Sequence, residues 1–403
     1  MFNKKLKLQI LSILAATILA GSAAATVWAQ EETEVQEETS VTAEETEEEA
    51  PANEQAPEIP GLTYESTMDL SFAECFDVYY YNDGYKLLDV HDSARYLLVP
   101  EGKDAPDGLD EDIRVLYQPL DTIYMAATSP MALFDAIGSV DSIKLSGLDA
   151  SGWYIQSATD AINSGDMAFA GKYDEPDYEL LVGENCDLAI ESTMILHAPK
   201  VQEMIETLDI PVFIDRSSYE SQPLGRTEWI KLYGAMMNKE DEANAFFQDQ
   251  AQIIEKLKDF QNTEKTVAFF YINTSGAPVV RNPKDYISSM IEVAGGRNAF
   301  AELQDDSGKT SVSITMEEFY NTAVDADYLI YNSSIDASVT SLDDLIAKDS
   351  LMADFKAVKE GNVWITDNSM YQHTDTIGEF INDLNLMFTD GNEEDMTFLH
   401  RLS

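Results

Sequence analysis

The sequence predicts an α/β protein that is built from two lobes joined by a long helical segment. Short runs of apolar residues, typical of strands that are buried on both faces, alternate with segments of helical spacing. One long stretch of helical periodicity, residues 226–260, separates the first three of these runs from the last three. At 403 residues the chain is long enough for two domains with separate hydrophobic cores.

The first 29 residues are typical of a secretory signal peptide. Three lysines, beginning with Lys4, precede the apolar run ILSILAATILA, and Val27 and Ala29 supply small residues for cleavage before Gln30. We therefore expect the mature protein to work outside the cytoplasm.

The stretch LAGS at residues 19–22 resembles a bacterial lipoprotein box with one change. Ser22 stands where the lipid-bearing cysteine belongs, and a hydroxyl group cannot form the thioether. We expect no lipid anchor, although an uncleaved apolar run could still hold the chain at a membrane.

An acidic segment, residues 30–62, follows the leader. It contains 12 Glu and no Lys or Arg, so it cannot bury enough apolar surface to offset chain entropy, and a disordered linker is predicted. Leader and linker apart, 62 acidic and 22 basic residues remain. This charge argues against nucleic acid or anionic lipid as a partner.

The two cysteines predict neither a disulfide framework nor a paired-cysteine metal motif. Cys75 and Cys186 are far apart in the sequence, and each has apolar neighbours. We expect two buried thiols.

The alternation of strands and helices divides the folded part into two lobes, residues 63–224 and 262–403. Within the first lobe, residues 64–118 alternate at period two and suit an antiparallel edge. The predicted strands are residues 122–128, 186–193, 210–218, 266–276, 326–334 and 361–369, and the predicted helices are 130–137, 199–208, 285–294 and 376–389.

The segment that joins the lobes, residues 225–261, has apolar residues at helical spacing and no proline. It forms either one helix of about 50 Å or two helices with a break near MMNKED. Arg226 opens this segment, where the helix dipole disfavours a cation. Its side chain is either held by a neighbour such as Glu220 or reaches the space between the lobes.

Most of the predicted strands end in small polar residues, as in AATSPM around Ser129. In parallel sheets, the loops at the carboxyl ends of the strands line the ligand crevice, so such residues predict the walls of a cleft. Each of them, taken singly, could equally be the N-cap of the next helix.

Several stretches together resemble the substrate-binding proteins of ABC importers for ferric siderophores, haem and cobalamin. They are AATSPMALFDAIGSVDSIKLSG, DYELLVGENCDLAI, LDIPVFI, MIEVAGGRNAFAE and FKAVKEGNVWITD. The resemblance implies two Rossmann-like lobes, a long helical backbone and a ligand cleft between the lobes. It also implies a protein that captures an iron complex or cobalamin, has no permanently bound cofactor or catalytic residue, and delivers its cargo to a membrane permease. The oligomeric state stays open, and a monomer is preferred.

The resemblance also implies a permease-docking residue on each lobe. The family carries Glu, seven residues, Asp and then an apolar strand, and Glu179 with Asp187 fits this pattern. On the second lobe, the family usually has Glu where this chain has Arg297. Either neighbouring Glu292 takes that role or the permease differs.

By position, the resemblance implies ligand contacts from loops of both lobes. With Ser129, these are Tyr173, Glu191, Met194, Tyr271, Asn273, Arg281, Tyr371, Gln372 and His373. Tyrosine rings can cover flat ligand surface, and a guanidinium group can hold a carboxylate or catecholate.

Each of these residues also has a plainer interpretation. Arg281 could form a surface ion pair, and Tyr173 and Tyr271 could belong to the core. His373 is the most suggestive haem or metal ligand, yet a lone histidine usually has a milder role.

The sequence also bears on three other functions. A hydrolase on this scaffold needs a Gly-x-Ser-x-Gly elbow, which is not found in the sequence. A binding protein for a bare zinc or manganese ion needs several converging ligands, whereas the four histidines are scattered. A surface module that binds ligand without transport stays open.

Overall fold

The structure is a computed structural model that describes residues 56–257, 260–305 and 309–403. The predicted leader and most of the acidic linker lie outside these residues. The prediction of disorder is wrong for the end of the linker. Ile59 is buried, and the Tyr81 hydroxyl donates a 2.6 Å hydrogen bond to the Pro57 carbonyl. Residues 56–62 therefore belong to the folded part.

Residues 64–117 form a sheet of their own, with five strands in chain order. These are β1 (Tyr64–Thr67), β2 (Phe76–Tyr81), β3 (Lys86–Val90), β4 (Arg95–Val99) and β5 (Ile113–Tyr117). The expected antiparallel edge of the first lobe is wrong in two respects, since the sheet is separate and β4 pairs with β5 in parallel. Both of its faces carry apolar side chains, so it packs between the lobe and residues 56–62.

The first lobe is a parallel sheet with helices on both faces. Its strands have the order β12-β11-β6-β7-β8. They are β6 (Ile123–Met125), β7 (Ile143–Ser146), β8 (Ala168–Phe169), β11 (Leu188–Ser192) and β12 (Val212–Asp215), and a small hairpin of β9 (Gly171–Lys172) and β10 (Glu175–Pro176) follows β8. The helices are α1 (Ser129–Ala136), α2 (Gln156–Ser164), α3 (Tyr178–Gly183) and α4 (Pro199–Thr207).

The segment between the lobes contains two helices, α5 (Pro223–Met237) and α6 (Glu240–Glu255). The chain reverses at Asn238, which has a left-handed backbone (φ 54°, ψ 44°). Gly234 of α5 lies against Ala243 of α6, and a Cβ at Gly234 would come within 2.6 Å of the Ala243 side chain. The segment is thus a hairpin of helices, each about 22 to 24 Å long, and not a single strut.

The second lobe is built on a mixed sheet with the order β16-β14-β13-β17-β18-β19, and β15 also pairs with β13. The strands are β13 (Thr266–Ile272), β14 (Pro278–Arg281), β15 (Arg297–Asn298), β16 (Ser311–Ser313), β17 (Tyr328–Tyr331), β18 (Val363–Thr366) and β19 (Leu399–Arg401). Helices α7 (Tyr286–Val293) and α11 (Ile377–Phe388) cover one face. The other face carries α8 (Met316–Ala323), α9 (Leu342–Lys348) and α10 (Lys356–Glu360).

The two-lobed α/β prediction is confirmed, and each predicted strand and helix overlaps an observed element. The continuous apolar runs are buried because helices cover both faces of each sheet. Both thiols are free, Cys186 buried and Cys75 only half-buried. Among the described helices, none is both long and apolar enough to cross a membrane.

Candidate functional site

A cavity lies where the two lobes meet, and its empty space, together with the solvent at its mouth, is about 330 Å³. The second lobe supplies most of its wall from α7, from the start of α11 and from the loop after β18, and Arg226 of α5 completes it. The lining residues are Arg226, Tyr286, Ile287, Met290, Met370, Tyr371, His373, Thr374, Thr376, Ile377, Phe380 and Phe398.

Arg281, the last residue of β14, is buried beside this cavity. Its guanidinium donates a 2.9 Å hydrogen bond to the Tyr371 hydroxyl, and its Nε lies 3.5 Å from Oδ1 of Asp285. Asn332 donates a second hydrogen bond, of 2.7 Å, to the same hydroxyl. The surface ion pair considered from the sequence is wrong, because Arg281 is only 9% exposed.

Arg226 brings a second guanidinium to the cavity. It is 6% exposed and stacks on the Tyr286 ring, with Cζ 4.2 Å from the ring centroid. Within the described residues, no hydrogen bond or ion pair holds this side chain, and Nε is buried without a partner. Glu220 does not hold Arg226 either, because it accepts hydrogen bonds from the backbone of residues 74–75 and from Trp229.

Two buried carboxylates balance these cations. Asp215, at the end of β12, accepts hydrogen bonds from Ser217 and Tyr233, each 2.6 Å long. Asp285 caps the N-terminus of α7. Burial raises the pKa of both carboxyl groups, and the nearby Arg226 charge lowers each pKa in part. An anion entering the cavity would therefore meet guanidinium groups within a site that has no large excess charge.

The loop after β18 also joins the lobes directly. The Gln372 amide donates to the Gly152 carbonyl and accepts from the Tyr154 N–H, both at 2.8 Å. Thr374 donates a 2.6 Å hydrogen bond to the Ser129 carbonyl. Gln372 and Ser129, both expected at the ligand, thus hold the lobes together in this conformation.

His373 lines the cavity and lies against the Phe398 ring. Its Nδ1 is 3.5 Å from Oδ1 of Asp375, and this nearby carboxylate raises the pKa of the imidazole. Across the described residues, no three His, Cys, Asp or Glu side chains converge as a metal site.

Other residues expected at the ligand lie away from this cavity. Asn273 closes the turn after β13, where its side chain accepts hydrogen bonds from Ser275 and Ala277. Tyr271 is half-buried within β13, and Tyr173 is half-buried in the turn of the β9–β10 hairpin. Neither tyrosine lines the cavity.

The remaining two predicted contacts, Glu191 and Met194, belong to the carboxyl end of β11 and the turn that follows. Met194 is half-buried, and Glu191 is fully buried. Neither of them lines the cavity.

Tyr286, Met290 and Phe380 are cavity residues that the sequence analysis did not single out. They occupy ordinary helical core positions in α7 and α11, so periodicity alone marks them as core. Tyr286 could have been identified as a cavity residue because it lies five residues after Arg281, at the start of a helix.

Both docking candidates lie at the surface. Glu179 is exposed in the first turn of α3. Arg297 is exposed in β15, with its guanidinium 3.3 Å from a Glu302 oxygen.

The comparisons with known proteins agree with this architecture. An uncharacterised lipoprotein of Methanocaldococcus jannaschii is 24% identical over 339 residues, which is 76% of this chain and 78% of the relative. A periplasmic haem-binding protein of Pseudomonas aeruginosa superposes with a TM-score of 0.55 at 16% identity, covering 70% of this chain and 98% of that one. The petrobactin-binding protein of Bacillus subtilis gives 0.54 at 16% identity, with 66% and 92% covered.

A family model described as periplasmic binding protein matches residues 126–370, which include the helical hairpin and every strand of the two lobe sheets except β6 and β19. This match extends over more than half of the chain. The chain therefore belongs to the periplasmic binding protein family.

Proposed function

We propose that this protein captures an iron complex, a siderophore or haem, or a cobalamin between its lobes and delivers it to an ABC permease in the membrane. The observation that carries the proposal is the cavity at the lobe junction, with two buried guanidinium groups at its edge. The family provides the general function of binding, and the solved neighbours include proteins named for haem and for petrobactin.

The side chains of the cavity support a chelate with an anionic group and an apolar body. Arg226 has no hydrogen-bond partner among the described residues, so a carboxylate or catecholate oxygen would give it one. Met290, Phe380 and Phe398 offer apolar surface in the same cavity. The space that the centre of a water molecule can occupy in it is about 20 Å³, which is room for little more than one water in this conformation.

A bulky chelate therefore enters only after the lobes separate. The hydrogen bonds of Gln372 and Thr374 to the first lobe must break for this to happen. They are bonds between uncharged groups, each worth about 0.5–1.5 kcal/mol, so ligand binding can offset their loss. After loading, Glu179 and Arg297 are the surface residues that we assign to the contact with the permease.

The test is a fluorescence titration of the chain from Gln30 onward with ferric siderophores, haemin, cobalamin and divalent metal ions. Arg281→Gln and Tyr371→Phe remove the charge and the hydroxyl group that face each other beside the cavity. Arg401→Gln is the matched control. Arg401 is exposed on β19, at an edge of the second sheet, and its guanidinium forms an ion pair with Glu393.

Saturable quenching by one chelate class, weakened by Arg281→Gln and by Tyr371→Phe but not by Arg401→Gln, is the expected result. Binding of a bare metal ion alone would overturn the proposal in favour of a metal-ion importer. Failure of every chelate to bind a folded protein would leave the family membership and remove the proposed cargo.

A further inference from the structure

Two polar side chains of the cavity at the lobe junction have no hydrogen-bond partner in the described chain. Arg226 is only 6% exposed, and its Nε is buried without a described partner. The side-chain oxygen of Thr376, Oγ1, is buried in the same way. A buried polar group that is left unpaired typically costs about 1–3 kcal/mol, so these two groups require an explanation.

The Tyr371 hydroxyl adds a third donor to the cavity. Its oxygen accepts a 2.9 Å hydrogen bond from Arg281 and a 2.7 Å hydrogen bond from Asn332. These two bonds occupy both lone pairs of the oxygen, so the hydroxyl proton must be donated to another group. Within the described ranges no residue accepts this proton, and Tyr371 lines the cavity. An acceptor inside the cavity would receive it.

The N-terminus of α11 also lies at the cavity. Thr376 is the N-cap residue of this helix, and its side chain forms no capping hydrogen bond. Ile377, the first residue of the helix, lines the cavity as well. The first turn of a helix leaves N–H groups without intrahelical partners and carries a partial positive charge. Both effects favour an anion at this end of the helix.

No carboxylate competes for these donors from the wall of the cavity, because its described lining residues include no Asp and no Glu. Asp215, Asp285 and Asp375 lie nearby but are not among the lining residues. A water molecule would need acceptors for its own two protons, whereas an anion only accepts hydrogen bonds. The arrangement of donors therefore favours an anion.

We propose that this cavity binds one chloride ion, and that chloride competes there with the anionic group of the cargo. The size of the cavity favours a monatomic anion, since the centre of a water molecule can occupy only about 20 Å³. Arg226 belongs to α5, whereas Tyr371 and Thr376 belong to the second lobe. Bound chloride thus connects the helical hairpin to the second lobe. The competition rests on the proposed function, and the chloride site does not.

The first experiment measures how the chain from Gln30 onward broadens the chloride NMR signal of a sodium chloride solution. The full chain has a formal net charge of −49, so binding of chloride elsewhere on the surface is weak. We expect saturable broadening by the wild type. The affinity should be at least about fivefold weaker in Arg226→Gln and in Thr376→Val, as the loss of one hydrogen bond implies.

The two variants complement each other, because Thr376→Val keeps the shape of the side chain and removes only the hydroxyl group. Arg401→Gln is the matched control, since it removes a guanidinium group that pairs with Glu393 away from the cavity, and it should bind chloride as the wild type does. Equal affinity in the wild type and in folded Arg226→Gln and Thr376→Val variants would overturn the proposal. Absence of broadening by the wild type would overturn it as well.

Anomalous diffraction from crystals soaked in sodium bromide locates the ion. A bromide peak at hydrogen-bonding distance from Arg226, Tyr371 and Thr376 is the expected result. An ordered water molecule at this position, with bromide bound only elsewhere, would overturn the proposal. Neither this experiment nor the NMR titration requires the cargo to be known.

A second arm tests the competition. The chelate that binds in the fluorescence titration is titrated again in sodium chloride and in sodium gluconate of equal ionic strength, because gluconate is too large for the cavity. With chloride at about ten times its Kd, the apparent Kd of the chelate should increase about elevenfold. A chelate Kd that does not depend on chloride would overturn the competition and leave the chloride site. If chloride binds and no chelate does, the proposed cargo is removed and the chloride site is retained.

Discussion

Two glutamates that are both 0% exposed, Glu191 of the first lobe and Glu228 of the helical hairpin, have opposite surroundings. Glu228 of α5 accepts hydrogen bonds from the backbone N–H groups of residues 71–73, at 2.7–3.0 Å, and from Lys231 at 2.7 Å. In the described chain, Glu191 accepts none. The comparison separates a buried carboxylate whose hydrogen bonds hold two parts of the fold together from a buried carboxyl group that has no hydrogen bond and whose pKa burial raises.

The arginines at the lobe junction differ in the same way. Arg281 donates to Tyr371 and lies beside Asp285, whereas Arg226 stacks on Tyr286 and has no hydrogen bond to a described residue. We therefore expect substitutions at the bonded group of such a pair to change stability more, and substitutions at the unbonded group to change binding more.

The largest effect is expected for Glu228→Ala. The substitution leaves the Lys231 charge and the N–H groups of residues 71–73 without their acceptor, so the free energy of unfolding should fall by about 3–5 kcal/mol. Urea denaturation followed by circular dichroism measures this loss. Glu242→Ala removes an exposed partner of Lys239 and should change stability far less than Glu228→Ala does. Equal losses in the two variants would contradict the structural role of Glu228.

Arg226→Gln tests the unbonded member of the arginine pair. Because a charge-assisted hydrogen bond contributes about 1.5–3 kcal/mol, the affinity for the cargo found in the titration should fall about 10- to 100-fold. Isothermal titration calorimetry measures the change, and circular dichroism checks the fold. Affinity equal to that of the wild type would show that Arg226 does not contact the ligand.

Gln372→Ala tests the direct connection between the lobes. Loss of its two hydrogen bonds should speed hydrogen exchange of the Tyr154 amide roughly tenfold, because that N–H loses its acceptor. Hydrogen-exchange mass spectrometry of a peptide around Tyr154 reports the rate. Gln202→Ala, a half-buried glutamine in α4, provides the control. Unchanged exchange would mean that other contacts keep the lobes together.

The smallest change in stability is expected at His91, a partly exposed residue that is hydrogen-bonded to Asp77. The hydrogen bond to Asp77, 3.0 Å long, raises the pKa of His91 to about 9. A raised pKa in the folded state means that this group stabilises the protein fully below its ordinary pKa, about 6.5, and that the contribution is lost as the pH rises through 9.

His91→Gln should therefore flatten the fall in the urea midpoint between pH 6.5 and pH 9. The control is His197→Gln, since His197 forms no ion pair with a described residue. An unchanged pH dependence in His91→Gln would contradict the assignment.

Much of the fold could be predicted from the sequence because strands that are buried on both faces have continuous runs of apolar residues. The runs at residues 122–128 and 186–193 contain β6 and β11, and the helix predicted over 285–294 contains α7. The separate sheet of residues 64–117 could not be predicted, since alternation at period two indicates strands but not the sheet to which they pair.

The sequence by itself determined the α/β class and the two lobes, and its resemblance to a family implied Arg281 and Tyr371 as ligand contacts. Only the tertiary structure decided which polar side chains find partners. Gln372 bonds across the lobes, Asn273 closes its own turn, and Glu191 is left without a bond in the described chain. The physical reason is that hydrogen-bond satisfaction depends on groups distant in sequence, such as the 220 positions between Gln372 and Gly152.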